Sequence, residues 1–201
     1  MRIVLLFILC LFFSCRGEKR YEDLNLTEYQ KQVNNYFKDA SLSPLKPKDM
    51  KNFRGLDFFE FDSSYVVYAK IQETADSPPF KMKTTTDTPA DFRKYGTLIF
   101  NINDEQYTLT AYENLDYLDV EGYENYLFLP FLDKTNGNET YGGGRYIDLY
   151  KYDNDSILID FNRAYNPQCV YDKNFSCPIV PRKNLLNFRV EAGVKNFVSS
   201  Y

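Results

Sequence analysis

The alternation of apolar and polar positions divides the chain into three stretches. From Ile3 to Phe13 the sequence reads IVLLFILCLFF, eleven apolar residues behind the single charge of Arg2. A helix needs about 20 such residues to span a bilayer. A charged start, a short apolar run and a small residue at the cut instead describe a signal peptide over residues 1–14. A polar tether follows over residues 15–24. Leu26, Tyr29, Val33, Tyr36, Phe37 and Ala40 then recur at helical spacing, and Asn25 with Glu28 three residues later forms a capping box. Ser43-Pro44 ends this helix, and Pro47 to Lys51 allows one short turn more.

Beyond residue 56 the period falls to two, and eight short strands are predicted. They are Ser64 to Glu73, Pro79 to Thr86, Tyr95 to Asn103, Gln106 to Tyr112, Asn125 to Leu132, Arg145 to Tyr152, Ser156 to Phe161 and Phe188 to Ala192. Asn103-Asp104 and Asp153-Asn154-Asp155 are the turn candidates. The expected fold is mainly β: an antiparallel β-sandwich or small barrel with one N-terminal amphipathic helix, in a single domain over residues 25–201.

Composition changes the picture mostly by exclusion. The chain has no His and no Trp but 18 Tyr and 17 Phe. Without His, Ser-His-Asp and Cys-His catalysis and His-ligated zinc are excluded. A formal net charge of -4 argues against a nucleic-acid partner. No cofactor motif is present, so none is expected.

Ser14 before Cys15 resembles the lipobox of bacterial lipoproteins, in which the Cys becomes the acylated first residue. Phe13 departs from the commonest pattern. The expectation is a lipid-anchored envelope protein, membrane-bound through Cys15, and without an acidic cluster after that residue it is expected to face the periplasm from the outer membrane. An ordinary secretory signal with a free Cys15 and an uncleaved anchor are the alternatives. Cys10 lies in the apolar run, which leaves Cys169 and Cys177 in the domain. In an oxidising compartment they suggest a disulfide, with free thiols or a metal as alternatives. Too few soft ligands are present for structural zinc, and no metal is expected.

Polar residues concentrate between Phe131 and Glu191. Gly142-Gly143-Gly144 followed by Arg145 reads either as a tight turn entering a strand or as an anion cradle. Strand alternation puts Ile157 and Ile159 on one face and Leu158 and Asp160 on the other. A turn at 153–155 would make the flanking strands antiparallel neighbours and bring Arg145 to Asp160. Asn162, Arg163 and Asn166 would complete either a structural network or a polar pocket. Asp133, Glu139, Asp160 and Glu191 supply oxygen ligands but no calcium loop.

The strings FLPFLDKTNGNETYGGGRYIDL and IDFNRAYNPQCVYDKNFSCPIVPRKNLLNFRVEAG resemble the signature blocks of the bacterial domain of unknown function 1684 family, and the resemblance extends upstream to cover approximately residues 43–197. The family's E-T-Y-x-x-G-R stretch is met by Glu139-Thr140-Tyr141 with Gly144-Arg145. Its D-F-N-x-A-x-N-P-x-C stretch is met from Asp160 through Asn166-Pro167 to Cys169, and Cys177-Pro178 follows. Lys183 to Asn187 replaces the family's E-N-R-L-P, and Val194 stands where Glu follows Ala-Gly. The resemblance implies an assignment and no activity.

The ligand-binding candidates are therefore Glu139, Tyr141, Gly144, Arg145, Asp160, Asn162, Arg163 and Asn166. The leading expectation is a small polar or anionic ligand, or an envelope partner, held beside the turn at 142–145. A His-independent hydrolase using Asp or Glu with Arg145 or Arg163, and a purely structural envelope protein, are the alternatives.

Overall fold

The computed structural model describes residues 27–74, 76–151 and 155–199. The signal peptide, Cys15, the tether and Asn25 lie outside these residues.

Helix α1 spans Glu28–Lys38 and its cap is Thr27. Thr27 Oγ1 accepts from the Gln30 amide at 3.3 Å, and Gln30 Oε1 accepts from the Thr27 amide at 3.0 Å. The capping box thus sits two residues later than the Asn25 and Glu28 expected, on the pair that satisfies two orphan amides. Phe37 and Asn34 are buried on the inner face, and Asn34 Oδ1 accepts from the Leu56 amide at 2.7 Å. The short α2 spans Pro47–Asn52, with its proline in the first turn.

Seven strands follow: β1 (Val66–Glu73), β2 (Phe80–Met82), β3 (Ala90–Ile102), β4 (Glu105–Asn114), β5 (Tyr126–Phe131), β6 (Arg145–Tyr150) and β7 (Ser156–Asp160). They form one antiparallel sheet in the order β6-β5-β4-β3-β1-β7, with β2 paired to β3, curled into a half-barrel. The β3–β4 hairpin turns on Asn103 and Asp104, both at positive φ (52° and 62°), as a two-residue hairpin loop requires.

Alternation gives the curled sheet two different faces. Inward residues Leu98, Leu109, Leu127, Leu129, Ile147 and Ile159 form the main core. The opposite face of β3 to β6 carries a second, aromatic cluster that includes Phe92, Tyr112, Phe128 and Tyr146.

Two expectations about topology are corrected. β6 and β7 are consecutive in the chain but share no ladder, because β6 pairs with β5 and β7 pairs with β1. The segment Phe188 to Ala192 forms no strand. The carbonyls of Val190 and Ala192 are taken by a side chain, as described next.

Candidate functional site

Arg145 begins β6 and, with Ile147 and Leu149, points into the core, where it is 0% exposed. Its guanidinium meets Asp133 at 2.9 Å and donates to the carbonyls of Val190 at 2.8 Å, Ala192, and Val194 at 3.3 Å. Phe131 covers it, with the ring centroid 5.3 Å from Cζ. Asp133 also accepts from the Thr135 amide and hydroxyl, at 2.7 and 2.6 Å, and from the Val190 amide at 3.2 Å. Burial pulls the Arg145 pKa down while Asp133 pulls it back up. A charge held by one carboxylate and three carbonyls is a structural knot, leaving no fork for a ligand anion. Gly144, at φ 92°, completes the turn: a Cβ there would stand 2.6 Å from the Phe131 carbonyl.

The expected Arg145–Asp160 pair does not form. Asp160 lies on the outer face of β7 beside Leu158, while Arg145 is on the inner face. Asp160 instead accepts from the Asn162 amide at 3.0 Å and the Asn162 side chain at 2.9 Å. Asn162 clamps the Asp62 backbone, donating to its carbonyl at 2.9 Å and accepting from its amide at 3.0 Å. The other candidates are dispersed as well. Glu139 pairs with Arg189 on the surface, Tyr141 stands against Gly143, and Arg163 lies over the Tyr29 ring at 4.7 Å.

Asn166 is the exception, since it lines a cleft of about 800 Å³ on the aromatic face of the sheet. It is buried, donates to the Lys195 carbonyl at 3.0 Å, and leaves its Oδ1 without a partner. Thirteen of the thirty lining residues are aromatic, and the charged ones are Asp116 and Asp148. The cleft is bounded by α1, by the outward residues of β3, β5 and β6, and by the segment from Ala164 to Pro178.

Asp148 stands near the middle of β6, at one end of the sheet's strand order. Its neighbours along β6 are Tyr146 and Tyr150, and the register sets Phe128 directly across on β5 with Tyr126 diagonal to it. The hydroxyls of Tyr126 and Tyr165 both donate to Asp148 Oδ1, at 2.9 and 2.6 Å. Its second oxygen, Oδ2, has no hydrogen bond among the described residues. Desolvation raises the Asp148 pKa, while the two tyrosine bonds and the charge of Arg163 oppose that rise. Burial likewise raises Tyr126, Tyr146 and Tyr165, so these hydroxyls remain donors.

The cysteines stand at the cleft's edge as free thiols, with Cys177 in the wall and the Cys169 amide donating to Cys177 Sγ at 3.1 Å. A hydrogen bond from Cys177 lowers the Cys169 pKa to about 6, and the same bond raises that of Cys177. Among the described residues no three His, Cys, Asp or Glu side chains gather as metal ligands, and no helix is long and apolar enough to cross a membrane.

Sequence reasoning missed Asp148 and the tyrosines around it. The signal was present as Tyr146-x-Asp148-x-Tyr150 opposite Tyr126-x-Phe128, a strand pair whose outward face is aromatic around one acid.

A family model described as "Protein of unknown function (DUF1684)" matches residues 51–195. The chain is similar to the solution NMR structure of an uncharacterized protein from Haloarcula marismortui. The two share 32% identity over 83% of this chain and 89% of that one, with a TM-score of 0.65. No curated protein matches.

Proposed function

This chain belongs to the DUF1684 family of proteins of unknown function, and from that premise we propose that it is a lipoprotein, anchored through an acylated Cys15 and facing the periplasm, whose domain binds a small polar ligand in the tyrosine-lined cleft. The observation that carries the reading is the cleft itself. Its volume of about 800 Å³ lies within the roughly 300–1,000 Å³ typical of small-molecule sites. It also has the usual composition of such sites, an apolar aromatic wall with a few fixed polar groups. Asp148 Oδ2 supplies an acceptor that no described side chain takes up, since both tyrosine hydroxyls bind Oδ1. The turn at 142–145 is not the site in this reading, because Arg145 is consumed inside the core.

The test is an NMR titration of the purified protein with small neutral, cationic and anionic probes. Shifts are expected to cluster on Tyr126, Tyr146, Asp148 and Tyr165. A set of probes that shifts none of these residues would overturn the proposal.

A further inference from the structure

The charge and ring geometry of the cleft narrow the ligand further, on the premise that the cleft is a ligand site. We infer that it takes an organic cation, an alkylammonium or quaternary ammonium group seated among tyrosine rings against Asp148.

Three independent observations meet there. The first is charge: Asp116 and Asp148 line the cleft, and among the described residues no Lys or Arg does. The nearest cation, Arg163, has its Cζ 4.7 Å over the Tyr29 ring and makes no ion pair with Asp148 among the described residues. Asp148 therefore feels the charge of Arg163 but has no ion-pair partner among the described residues. An anionic ligand would meet repulsion from the acid, whereas a cation would supply the ion-pair partner it lacks.

The second observation is ring orientation. Around Asp148 the rings are steeply inclined rather than stacked flat: Tyr126 to Tyr150 at 68° and 6.0 Å, Phe128 to Tyr146 at 73° and 4.7 Å, Tyr146 to Tyr165 at 89° and 5.8 Å. Edge-to-face packing at these distances fixes the rings against one another, and the tyrosine faces left open attract an ammonium group even when alkyl groups cover its hydrogens. Tyr150 and Tyr123 remain 47% and 40% exposed, so their surfaces are open to a ligand.

The third is the orientation of the tyrosine hydroxyls. Tyr126 and Tyr165 both bind Oδ1. They fix the carboxylate from one side and leave Oδ2 as its available acceptor. An arrangement built only to neutralise Asp148 would have brought a Lys or Arg to it. These residues instead hold the acid rigid beside empty volume, which is the preorganisation that binding rewards.

The experiment compares choline with 3,3-dimethylbutan-1-ol, its uncharged carbon isostere, in NMR titrations of the whole protein. Choline is expected to shift the cleft residues and to bind about tenfold or more tightly than the isostere. Asp148→Asn keeps an acceptor for both tyrosine hydroxyls and should remove that preference. Tyr150→Leu, at an exposed position, should weaken choline more than the alcohol. Equal binding of the two probes, or an undiminished preference in Asp148→Asn, would overturn the cation assignment and leave the cleft a ligand site. The same holds if a neutral sugar or a carboxylate shifts the cleft while choline does not. If no probe of any charge shifts it, the underlying reading fails too.

Discussion

At the residue scale, two carboxylates in similar polar surroundings do opposite things. Asp133 is saturated: its oxygens meet an arginine, a hydroxyl and two amides. Arg145→Ala removes its charge partner and leaves three backbone carbonyls facing a void. A loss of about 3–5 kcal/mol is expected from breaking a buried pair, read by urea denaturation, with choline binding unchanged in the fraction that remains folded. Loss of binding at undiminished stability would return Arg145 to the ligand site. Asp148 behaves the other way. Its pKa is raised in the folded protein above the ordinary carboxylate value of the unfolded chain. Its ionisation therefore opposes folding. The associated stability is fully present below the unfolded pKa and is lost as pH rises through the folded one. Asp148→Asn should thus unfold at a higher temperature than the wild type at neutral pH, and the gap should close on acidification. A neutral-pH destabilisation would contradict the assigned direction.

At the element scale, much of the architecture was legible because it follows from period two. The β3–β4 hairpin turns on Asn103-Asp104 as expected, and β4, β5 and β7 come within two residues of their expected bounds, although β3 begins five residues before Tyr95, at Ala90. Pairing was not legible. Asp153 and Asn154 of the turn expected after β6 lie outside the described residues, and the turn signal did not say which strand β7 would join; β7 found β1, whose register sets Val66 against Asp160. That single difference put Arg145 and Asp160 on opposite faces. The clustering of polar residues between 131 and 191 was real, yet most of it serves loops that lack ladders: Asn162 holds Asp62, and Asn184 bonds Thr110 and Pro130. Such long-range clamps have no spacing signature in one sequence.

The segment from Ala164 to Pro178 forms one lip of the cleft, and its two thiols bear on how firmly that lip is held. With a pKa of about 6, set first by the hydrogen bond from Cys177, reduced Cys169 is mostly thiolate at neutral pH. It should react with iodoacetamide well before Cys177, and much more slowly at pH 5. In an oxidising envelope we propose that the pair closes to a disulfide. A loop this short would gain roughly 2–3 kcal/mol in the chain-entropy picture. Intact mass of protein isolated under non-reducing conditions should show the loss of two hydrogens, and two alkylatable thiols would count against closure.

At the scale of the whole molecule, the proposed anchor and the cleft are separable. Cys15 precedes α1, and the cleft is assembled from α1 and the sheet. Metabolic labelling with a fatty-acid analogue should mark the wild type and leave Cys15→Ala unmarked, with choline titrations of the two indistinguishable. Equal labelling of both would remove the anchor and leave the cleft untouched.

The carbonyls that hold Arg145 belong to residues 190, 192 and 194, close to the last described position. During synthesis the guanidinium is made some 45 to 49 residues before its acceptors. Until they emerge, burying that charge in the half-barrel is unfavourable. A nascent chain halted short of residue 190 should therefore remain open and sensitive to protease, and the domain should close only after residues 190–194 have emerged. Such a delay would suit the proposed export, in which the polypeptide crosses a membrane as an unfolded thread.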